Sequence, residues 1–419
     1  MSADQLSTVR ALWGAGLEAS LEHIVTEGNA IVARTEAWSR LNSGSNEPAG
    51  LKRMQAPLGD AFASLPGAVT LEPLPPSQRV KPDGEIIEIE HAPSIRVRVR
   101  PEAPVLVALT GHYDTVFPAS HPFQTPWREG ERLRGPGVAD MKGGLSLMLT
   151  ALQAFEKLPG AKRVGYEVLM SPDEEIGSPG SAPLLMDLGK RAQVGLTYEP
   201  AMADGKLVDA RKGSGNFNLI FRGRAAHVGR AFDDGRNAVT AAAEAALALA
   251  ALNGARAGVT FNVGAIDGGG PVNVVPDRAV LRFNVRAPDE EGATWAQGEI
   301  KRIAEAGNKN GVSAHVLGGI TRPPKPITPS QATMIAWTQQ AGAALGLDLK
   351  FGPSGGVCEG NNLAAAGCPN IDTLGPCGGA IHSDEEFALI PSFAERAQLS
   401  FMLLAGFERG VFDLARLRP

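Results

Sequence analysis

Three short, mostly apolar runs constrain the fold of this 419-residue chain more than any other feature of its sequence. They cover residues 105–110, 164–171 and 194–198. Apolar runs of this length are typical of strands that are buried on both faces of a parallel sheet. Between the first two runs, apolar residues recur at helical spacing from Leu145 to Phe155. Strands that alternate with helices in this way predict an α/β domain with a mostly parallel sheet covered by helices.

The pattern changes near residue 212, where apolar and polar residues begin to alternate. The alternation covers 217–222 and returns at 279–285, as in strands with one face in solvent. Helices are predicted at 237–252 and 289–306, so the element order is that of a small α+β, ferredoxin-like sandwich. We therefore predict the following division of the chain: a first domain formed by residues 1–210 and 327–419, and a second domain inserted at 211–326.

Composition and charge limit the possible partners and locations. Hydrophobic residues at 43% and charged residues at 20% are typical of a globular protein. The formal net charge of −5 offers no basic face for nucleic acid or a membrane surface, so a small molecule or peptide is the expected partner. Neither a signal peptide nor a run of 18 apolar residues is present, which favours a cytoplasmic location. Three cysteines without C-x-x-C spacing are expected to be free thiols.

Possible metal ligands follow each buried run. His112 and Asp114 come after the first run, residues 173–175 (Asp-Glu-Glu) after the second, and Glu199 after the third. Ligand sites of open α/β sheets gather at these strand ends. In extended backbone His112 and Asp114 point to the same face, so Asp114 can hydrogen-bond one ring nitrogen while the other binds a metal.

Two further segments complete the candidate site. Asp140 precedes the helix that begins near Leu145, where a carboxylate can serve as an N-cap or can bridge two cations. His382 lies in a late loop and is followed by three acidic residues. Taken singly, these residues have ordinary structural interpretations. Together, two histidines and four carboxylates form the ligand set of a paired zinc site.

These motifs resemble those of the zinc exopeptidase family that contains bacterial glutamate carboxypeptidase, aminoacylase and succinyl-diaminopimelate desuccinylase. They keep the family's order over nearly the whole chain, and the matching segments are His112/Asp114, residues 135–144 (Gly-Pro-Gly-Val-Ala-Asp-Met-Lys-Gly-Gly), 173–175, 198–200 and 382–386. The resemblance implies a mostly parallel catalytic domain with an inserted α+β dimerisation domain.

The resemblance also implies a role for each ligand. Two Zn²⁺ ions per chain would be bound, with cobalt or manganese as alternative metals. Asp140 would bridge them, His112 and Glu199 would complete one site, and Glu175 and His382 would complete the other. Metal-bound hydroxide would be the nucleophile, because coordination lowers the pKa of water from about 15.7 toward about 7. Glu174 would be the general base, and Asp114 would orient His112.

The implied reaction is hydrolysis of an amide or peptide bond next to a free carboxylate, as in glutamate carboxypeptidase. Deacylation of an N-acyl amino acid, as in aminoacylase, is the alternative. In family homodimers a histidine matching His227 reaches the partner subunit's active site. The positions expected to bind substrate are Asn273 and Arg286 for its carboxylate, Arg322 for an acidic side chain, and the loop at Gly355 and Gly356.

One departure and two rival hypotheses remain open. After Gly356 the chain reads Val357-Cys358-Glu359, where glutamate carboxypeptidases have a Thr-Asp-Ala type sequence, so glutamate specificity is uncertain. Residues 352–356 fit G-x-S-x-G, which with Asp372 and His382 would make Ser354 the nucleophile of a serine hydrolase. That hypothesis leaves the carboxylates at 140, 174, 175 and 199 unexplained. A non-catalytic binding protein is disfavoured because the ligand set and Glu174 are complete.

Overall fold

A computed structural model describes residues 2–417 of the chain. Its α-helices are α1 (Ala3–Trp13), α2 (Glu18–Thr26), α3 (Gly28–Ser39), α4 (Pro48–Phe62), α5 (Lys142–Glu156), α6 (Ala182–Arg191), α7 (Ala238–Ala251), α8 (Glu290–Gly307), α9 (Pro329–Ala344), α10 (Glu359–Ala365) and α11 (Ile390–Arg409). None of these helices is long and apolar enough to cross a membrane.

The strands of the same residues form one six-stranded, one five-stranded and one four-stranded sheet and three two-stranded sheets. They are β1 (Ala68–Glu72), β2 (Ser77–Val80), β3 (Ile86–Ile89), β4 (Ser94–Val99), β5 (Val105–His112), β6 (Trp127–Glu129), β7 (Arg132–Arg134), β8 (Val164–Ser171), β9 (Val194–Thr197), β10 (Ala201–Met202), β11 (Leu207–Arg211), β12 (Gly213–Arg222), β13 (Ala226–His227), β14 (Thr260–Gly268), β15 (Val274–Val275), β16 (Arg278–Ala287), β17 (Ser313–Arg322), β18 (Phe351–Ser354), β19 (Asn370–Ile371), β20 (Cys377–Gly379) and β21 (Phe387–Leu389).

The three apolar runs lie in the central six-stranded sheet, whose strand order is β1-β4-β8-β5-β9-β19. Strands β8, β5, β9 and β19 are parallel, whereas β4 pairs antiparallel with both β8 and β1, and β1 is the edge strand on that side. Helices α3, α5 and α11 pack together on one face, and α6 and α10 pack together with β5 and β9. The predicted α/β fold is therefore confirmed, and its antiparallel edge is an addition to it. All the parallel strands present their carboxyl ends at one edge, where the predicted ligands begin.

The four-stranded sheet is antiparallel, with strand order β14-β16-β12-β17. Helices α7 and α8 cover one of its faces and enclose an apolar core that includes Phe217, Leu219, Phe221, Leu281 and Phe283. Both helices lie within one residue of the predicted bounds at each end. This is the predicted α+β unit, because the residues that alternate with this core face away from the helices.

The segments that enter and leave this unit run side by side. Arg211 and Lys325 form an antiparallel bridge, with both N–O distances at 3.0 Å. Their side chains meet on the buried carboxylate of Asp372, which accepts hydrogen bonds from Arg211 Nε at 2.8 Å and Lys325 Nζ at 2.7 Å. The end of the central sheet thus holds both connecting segments at one place.

The alternating sequence predicted that one face of the antiparallel sheet lies in solvent. This expectation is wrong at the far end of that face, which is covered. The hairpin of β2 and β3, which belongs to the chain before β4, packs there. Val80, Ile220 and Val280 form a small buried apolar cluster. Arg282 Nη2 donates to Val80 O at 2.9 Å, and Arg222 Nη2 donates to the carbonyl of Gly84 at 2.6 Å. Ile220 is apolar because the hairpin covers it.

This contact predicts that the hairpin is held by its packing on the inserted unit. Val80→Ala should lower the free energy of local opening of the hairpin by about 1–2 kcal/mol, because two buried methyl groups are removed. Ile86→Ala is the matched control, since Ile86 lies on the same hairpin and is 41% exposed. Amide hydrogen exchange of residues 77–89 measures the effect. Equal exchange in the two variants would contradict the packing role.

Candidate metal centre

Two histidines and three carboxylates meet at the carboxyl edge of the parallel strands. His112 is the last residue of β5, Glu175 lies in the turn after β8, and Glu199 follows β9 by two residues. Asp140 lies just before α5, and His382 lies between β20 and β21. The strand ends and two loops therefore bring together all five residues that the sequence nominated as ligands.

Asp140 occupies the middle of this group. Its Oδ1 lies 3.0 Å from His112 Nε2, and its Oδ2 lies 3.5 Å from His382 Nε2. Glu199 Oε2 is 3.8 Å from His112 Nε2 on one side, and Glu175 Oε2 is 3.0 Å from His382 Nε2 on the other. Each oxygen of the Asp140 carboxylate thus faces one histidine–glutamate pair.

These separations fit metal coordination. Ligand atoms at about 2.0–2.2 Å from a tetrahedral zinc ion lie about 3.4 Å from one another. Ligand atoms of His112, Asp140 and Glu175 lie within 4.8 Å of one another, as do those of His112, Glu174 and Glu199. Glu199 Oε1 is buried and has no hydrogen-bond partner in the part of the chain that the structure describes. A cation is a natural partner for such an oxygen.

The charges in the group also favour a cation. Burial and the negative charge of Asp140 raise the pKa of Glu199 to about 8, and the same two causes raise the pKa of Glu175 well above its usual value. Contacts with Asp140 and Glu175 raise the pKa of His382 to about 11. Carboxylates buried this closely need positive charge beside them. A divalent ion supplies that charge and takes neutral imidazole and ionised carboxylate as ligands.

Asp114 holds two parts of the centre together. Its Oδ1 lies 3.3 Å from His112 Nδ1, which leaves Nε2 of the ring directed at Asp140. The Asp114 carboxylate also accepts hydrogen bonds from the backbone N–H groups of Glu174 and Glu175, both at 3.2 Å. One buried side chain thus orients a histidine and the acidic turn.

Glu174 lies at the centre but has a partner from the other domain. Its Oε1 accepts a hydrogen bond from Arg322 Nη2 at 2.7 Å. Arg322 is the last residue of β17 and is buried, and its Nη1 donates to the side-chain oxygen of Asn362. The sequence nominated Arg322 for substrate binding and did not reveal this ion pair, because the two residues are 148 positions apart.

The centre opens into a cleft of about 540 Å³ between the six-stranded and the four-stranded sheets. Asp140, Glu175, Glu199 and His382 line one wall, and Ser214, Asn216, Asn284, Arg286 and Arg322 line the other. A larger cavity of about 930 Å³ lies beside the proline-rich segment at 323–329 and contains none of the nominated residues. The smaller cleft has the volume of a small-ligand site, which is about 300–1,000 Å³.

Arg286 is half-buried and borders this cleft. Its Nε donates to Asn284 Oδ1 at 3.0 Å and its Nη1 to the carbonyl of Gly355 at 3.3 Å. Burial lowers the pKa of the guanidinium. Among residues 2–417 these partners are neutral oxygens, so the positive charge of Arg286 is not compensated by an ion pair.

His227 and Asn273 are not brought to the cleft of their own chain. His227 lies in β13, which pairs with β15, and Asn273 immediately precedes β15. Both side chains are exposed, and the carbonyl of Asn273 accepts a hydrogen bond from Val228 N at 3.1 Å. The two residues are neighbours on the outside of the inserted unit.

The loop that departs from the glutamate carboxypeptidase sequence after Gly356 lines the cleft only in part. Ser354, Gly356 and Val357 line the cleft, and Gly355 contributes its carbonyl to Arg286. Cys358 and Glu359 are fully buried, and Glu359 accepts a hydrogen bond from Ser171 Oγ beneath the centre. Differences in cleft chemistry therefore come from residues 354–357 rather than from the Cys-Glu pair.

The serine-hydrolase arrangement is not assembled. Asp372 is held by Arg211 and Lys325 and not by a histidine, and His382 faces Asp140 and Glu175. Ser354 Oγ accepts a hydrogen bond from Gly356 N at 3.1 Å, and α10 begins only at Glu359. A nucleophile elbow would pass from strand to helix directly at the serine.

Two buried side chains that the sequence did not single out support the loop before α5. Lys142 Nζ donates to the carbonyls of Trp38 and Leu41, at 3.2 and 2.8 Å, and burial lowers the pKa of Lys142 to about 7. Glu386 accepts hydrogen bonds from backbone N–H groups of the same loop. Glu386 ends a run of three acids, and its burial is a tertiary effect that the run itself does not reveal.

Comparison with known proteins decides the family. The profile of Peptidase family M20/M25/M40 matches residues 108–405, which is more than half of the chain. The chain belongs to this family. The matched region begins within β5 and ends within α11, so it includes the whole metal centre of this M20 protein.

Known relatives agree with this assignment. Carboxypeptidase G2 from Pseudomonas sp. (strain RS-16) is 29% identical over 312 residues, covering 72% of this chain and 74% of that protein. Succinyl-diaminopimelate desuccinylase from Nitrosococcus oceani is 28% identical over 324 residues, covering 72% and 84%. A solved M20 family metallo-carboxypeptidase from Sulfolobus solfataricus has a TM-score of 0.69 at 16% identity, covering 90% of this chain and 99% of that one. The predicted family is confirmed, and the protein is a metal-dependent hydrolase.

Proposed function

We propose that this M20 protein binds two zinc ions and hydrolyses an amide or peptide bond next to a free carboxylate. The observation that carries the proposal is the position of Asp140, whose two oxygens face two separate histidine–glutamate pairs. Asp140 is assigned as the bridging ligand, His112 and Glu199 as ligands of one ion, and Glu175 and His382 as ligands of the other. Cobalt or manganese would fit the same oxygen and nitrogen donors.

The residues around the centre divide the chemistry between them. Bound zinc supplies acidification of water and polarisation of the scissile carbonyl. Glu174 accepts the proton of the attacking water and delivers it to the departing amine, and Asp114 keeps His112 and the turn of Glu174 in place. Arg322 holds Glu174 at the edge of the cleft through their 2.7 Å ion pair. Reading an acidic substrate side chain with Arg322 would require that pair to break.

The base role predicts a specific kinetic defect. Glu174→Gln should bind the same amount of zinc as the wild type but should lower kcat by about 10²–10⁴-fold, because the amide cannot carry the proton. Glu385→Gln is the control, since Glu385 is an exposed acid near the same centre. Metal analysis and steady-state kinetics are the measurements. Wild-type turnover in Glu174→Gln would exclude the role.

Arg286 supports recognition of the free carboxylate. Its guanidinium borders the cleft opposite the metal ligands and has only neutral oxygen partners within residues 2–417. Its planar fork can bind a carboxylate through two parallel hydrogen bonds. A substrate bound there would place its carboxylate on the inserted unit and its amide bond near Asp140, with the loop at Gly355 and Gly356 beside it.

This assignment predicts a substrate-dependent effect. Arg286→Ala should lower kcat/KM for an N-acyl amino acid by about 10–150-fold, the range expected for a lost charged hydrogen bond of about 1.5–3 kcal/mol. For the corresponding amino-acid amide, which lacks the carboxylate, wild type and variant should react at similar rates. Arg278→Ala changes an exposed arginine of the same strand and serves as control. An equal loss on both substrates would contradict carboxylate recognition.

Deacylation of an N-acyl amino acid is the second candidate reaction, because it uses the same ligands and the same carboxylate contact. The two reactions differ only in what lies on the acyl side of the scissile bond. The cleft is also lined by four apolar residues that could contact an acyl group, Met202, Val208, Val357 and Ile381. A panel of N-acyl amino acids and dipeptides with a common carboxyl-terminal residue separates the candidates by their ratios of kcat/KM.

A homodimer is part of the proposed function. His227 and Asn273 are exposed neighbours outside the cleft of their own chain, so they can act in catalysis only in a second subunit. Strand β14 is an edge of its sheet, and α7 exposes Leu247 at 73%. Both features suit an interface between inserted units. In the partner's cleft, His227 would stabilise the oxyanion and Asn273 would bind the substrate carboxylate.

Mixed dimers test this arrangement. Glu174→Gln and His227→Ala homodimers should both be nearly inactive, whereas a heterodimer has one cleft with both an intact Glu174 and an intact partner His227. We therefore expect activity to return on mixing, to about half of the wild-type value per heterodimer. Size separation verifies heterodimer formation. Verified heterodimers without recovered activity would contradict action across the interface.

A further inference from the structure

The carboxylate of Glu386 is enclosed by backbone N–H groups of a single loop. Glu386 is 1% exposed. Its Oε1 accepts hydrogen bonds from Ala139 N and Asp140 N, both at 3.0 Å, and its Oε2 accepts one from Gly137 N at 3.1 Å. The Glu386 carbonyl also accepts a hydrogen bond from Gly135 N at 3.4 Å. Four contacts thus join one residue to the loop that ends in Asp140.

The backbone of this loop is not held by the hydrogen-bond pattern of a helix or a sheet. It lies between β7 and α5 and contains neither a helix nor a strand. Three N–H groups converge on one point, which is the geometry of a backbone anion site, and Glu386 provides the anion from within the protein. Since Asp140 N is itself one of the donors, the contact acts within one residue of the central carboxylate.

The same side chain links the loop to the second histidine. Glu386 follows His382 by four residues, and its backbone N–H donates to Ser383 O at 3.1 Å. Glu386 and Asp140 are 246 positions apart in sequence. The separation of Asp140 Oδ2 from His382 Nε2, 3.5 Å, therefore depends on two segments that Glu386 ties together.

A carboxylate is chemically specific for this position. Both of its oxygens face N–H donors, and a glutamine would have to present its NH₂ group to at least one of them. The burial of a second negative charge near Asp140 is unfavourable in itself, and the three backbone N–H donors of the loop stabilise that charge. A side chain that only anchored the loop would not need to carry a negative charge.

We propose that Glu386 is a positioning residue of the metal centre, which fixes the loop of Asp140 so that its two oxygens face His112 and His382. This inference rests on the two-metal site proposed above. Glu386 is neither a cleft-lining residue nor one of the five assigned ligands, and it acts through the backbone of residues 137–140.

Glu386→Gln tests the inference with almost no change in volume. We expect its apparent zinc affinity to fall by about 10–100-fold, the effect typical of residues that orient metal ligands. KM of the zinc-saturated enzyme should change little, because the substrate contacts remain. Competition with a chelator measures zinc affinity, and amide hydrogen exchange of residues 135–141 in the metal-free protein gives a readout that does not depend on activity. Exchange there should be faster in the variant.

Glu408→Gln is the matched control. Glu408 is also a buried glutamate, but it pairs with Arg163 far along α11 from the centre. It should leave zinc affinity and exchange at 135–141 unchanged. Wild-type affinity and exchange in Glu386→Gln would overturn the inference while leaving the proposed function intact.

A wild-type measurement covers the case in which Glu386→Gln does not fold. The amides of Gly137, Ala139 and Asp140 should exchange slowly in the metal-free wild type, because each donates to Glu386. Exchange at the rate of an unstructured loop would overturn the inference. Failure of the wild type to bind zinc at all would instead count against the proposed function.

Discussion

Three closely spaced carboxylates, those of Asp140, Glu175 and Glu199, are the constraint on which the rest of this structure depends. Burial and the negative charge of Asp140 raise the pKa values of Glu175 and Glu199, so the ionised forms of both glutamates are unfavourable there. Such a group is stable only if positive charge lies among its oxygens. The two histidines each face one oxygen of Asp140, and this arrangement is the basis for proposing two cations. The strand ends and loops hold these side chains in this unfavourable arrangement.

The inserted unit is oriented toward the same centre. Its sheet turns the near half of the polar face toward the carboxylates, which puts Arg286 across the cleft from them. The far half carries Val280 and Ile220, which the β2–β3 hairpin covers. The connecting segments are fixed by Asp372 through Arg211 and Lys325. Arg286, whose charge has no ion-pair partner within residues 2–417, thus lies across the cleft from the carboxylates, and this supports the proposal of a substrate with a free carboxylate.

Features that depend on local pattern could be predicted from the sequence. The run at 164–171 coincides with β8, and helices α7 and α8 lie within a residue of their expected bounds, because burial on a regular element leaves a periodic trace. His112, Glu175 and Glu199 could be located because strand ends of a parallel sheet meet at one edge, whereas Asp140 and His382 lie in loops and were assigned through the family motifs.

Contacts between distant segments could not be read in this way. The ion pair of Arg322 with Glu174, the cover over Ile220 and the inward orientation of Cys358 and Glu359 are set by tertiary packing. Glu386 is the clearest case. It is buried, whereas its neighbour Glu385 in the same acidic run is 70% exposed.

Anomalous diffraction at the zinc absorption edge, from crystals of the zinc-loaded protein, tests the central claim most directly. The account predicts two peaks per chain, about 3.5–4 Å apart, on either side of the Asp140 carboxylate. One peak should have His112 and Glu199 beside it, and the other Glu175 and His382. A single peak, or peaks that do not touch Asp140, would contradict it.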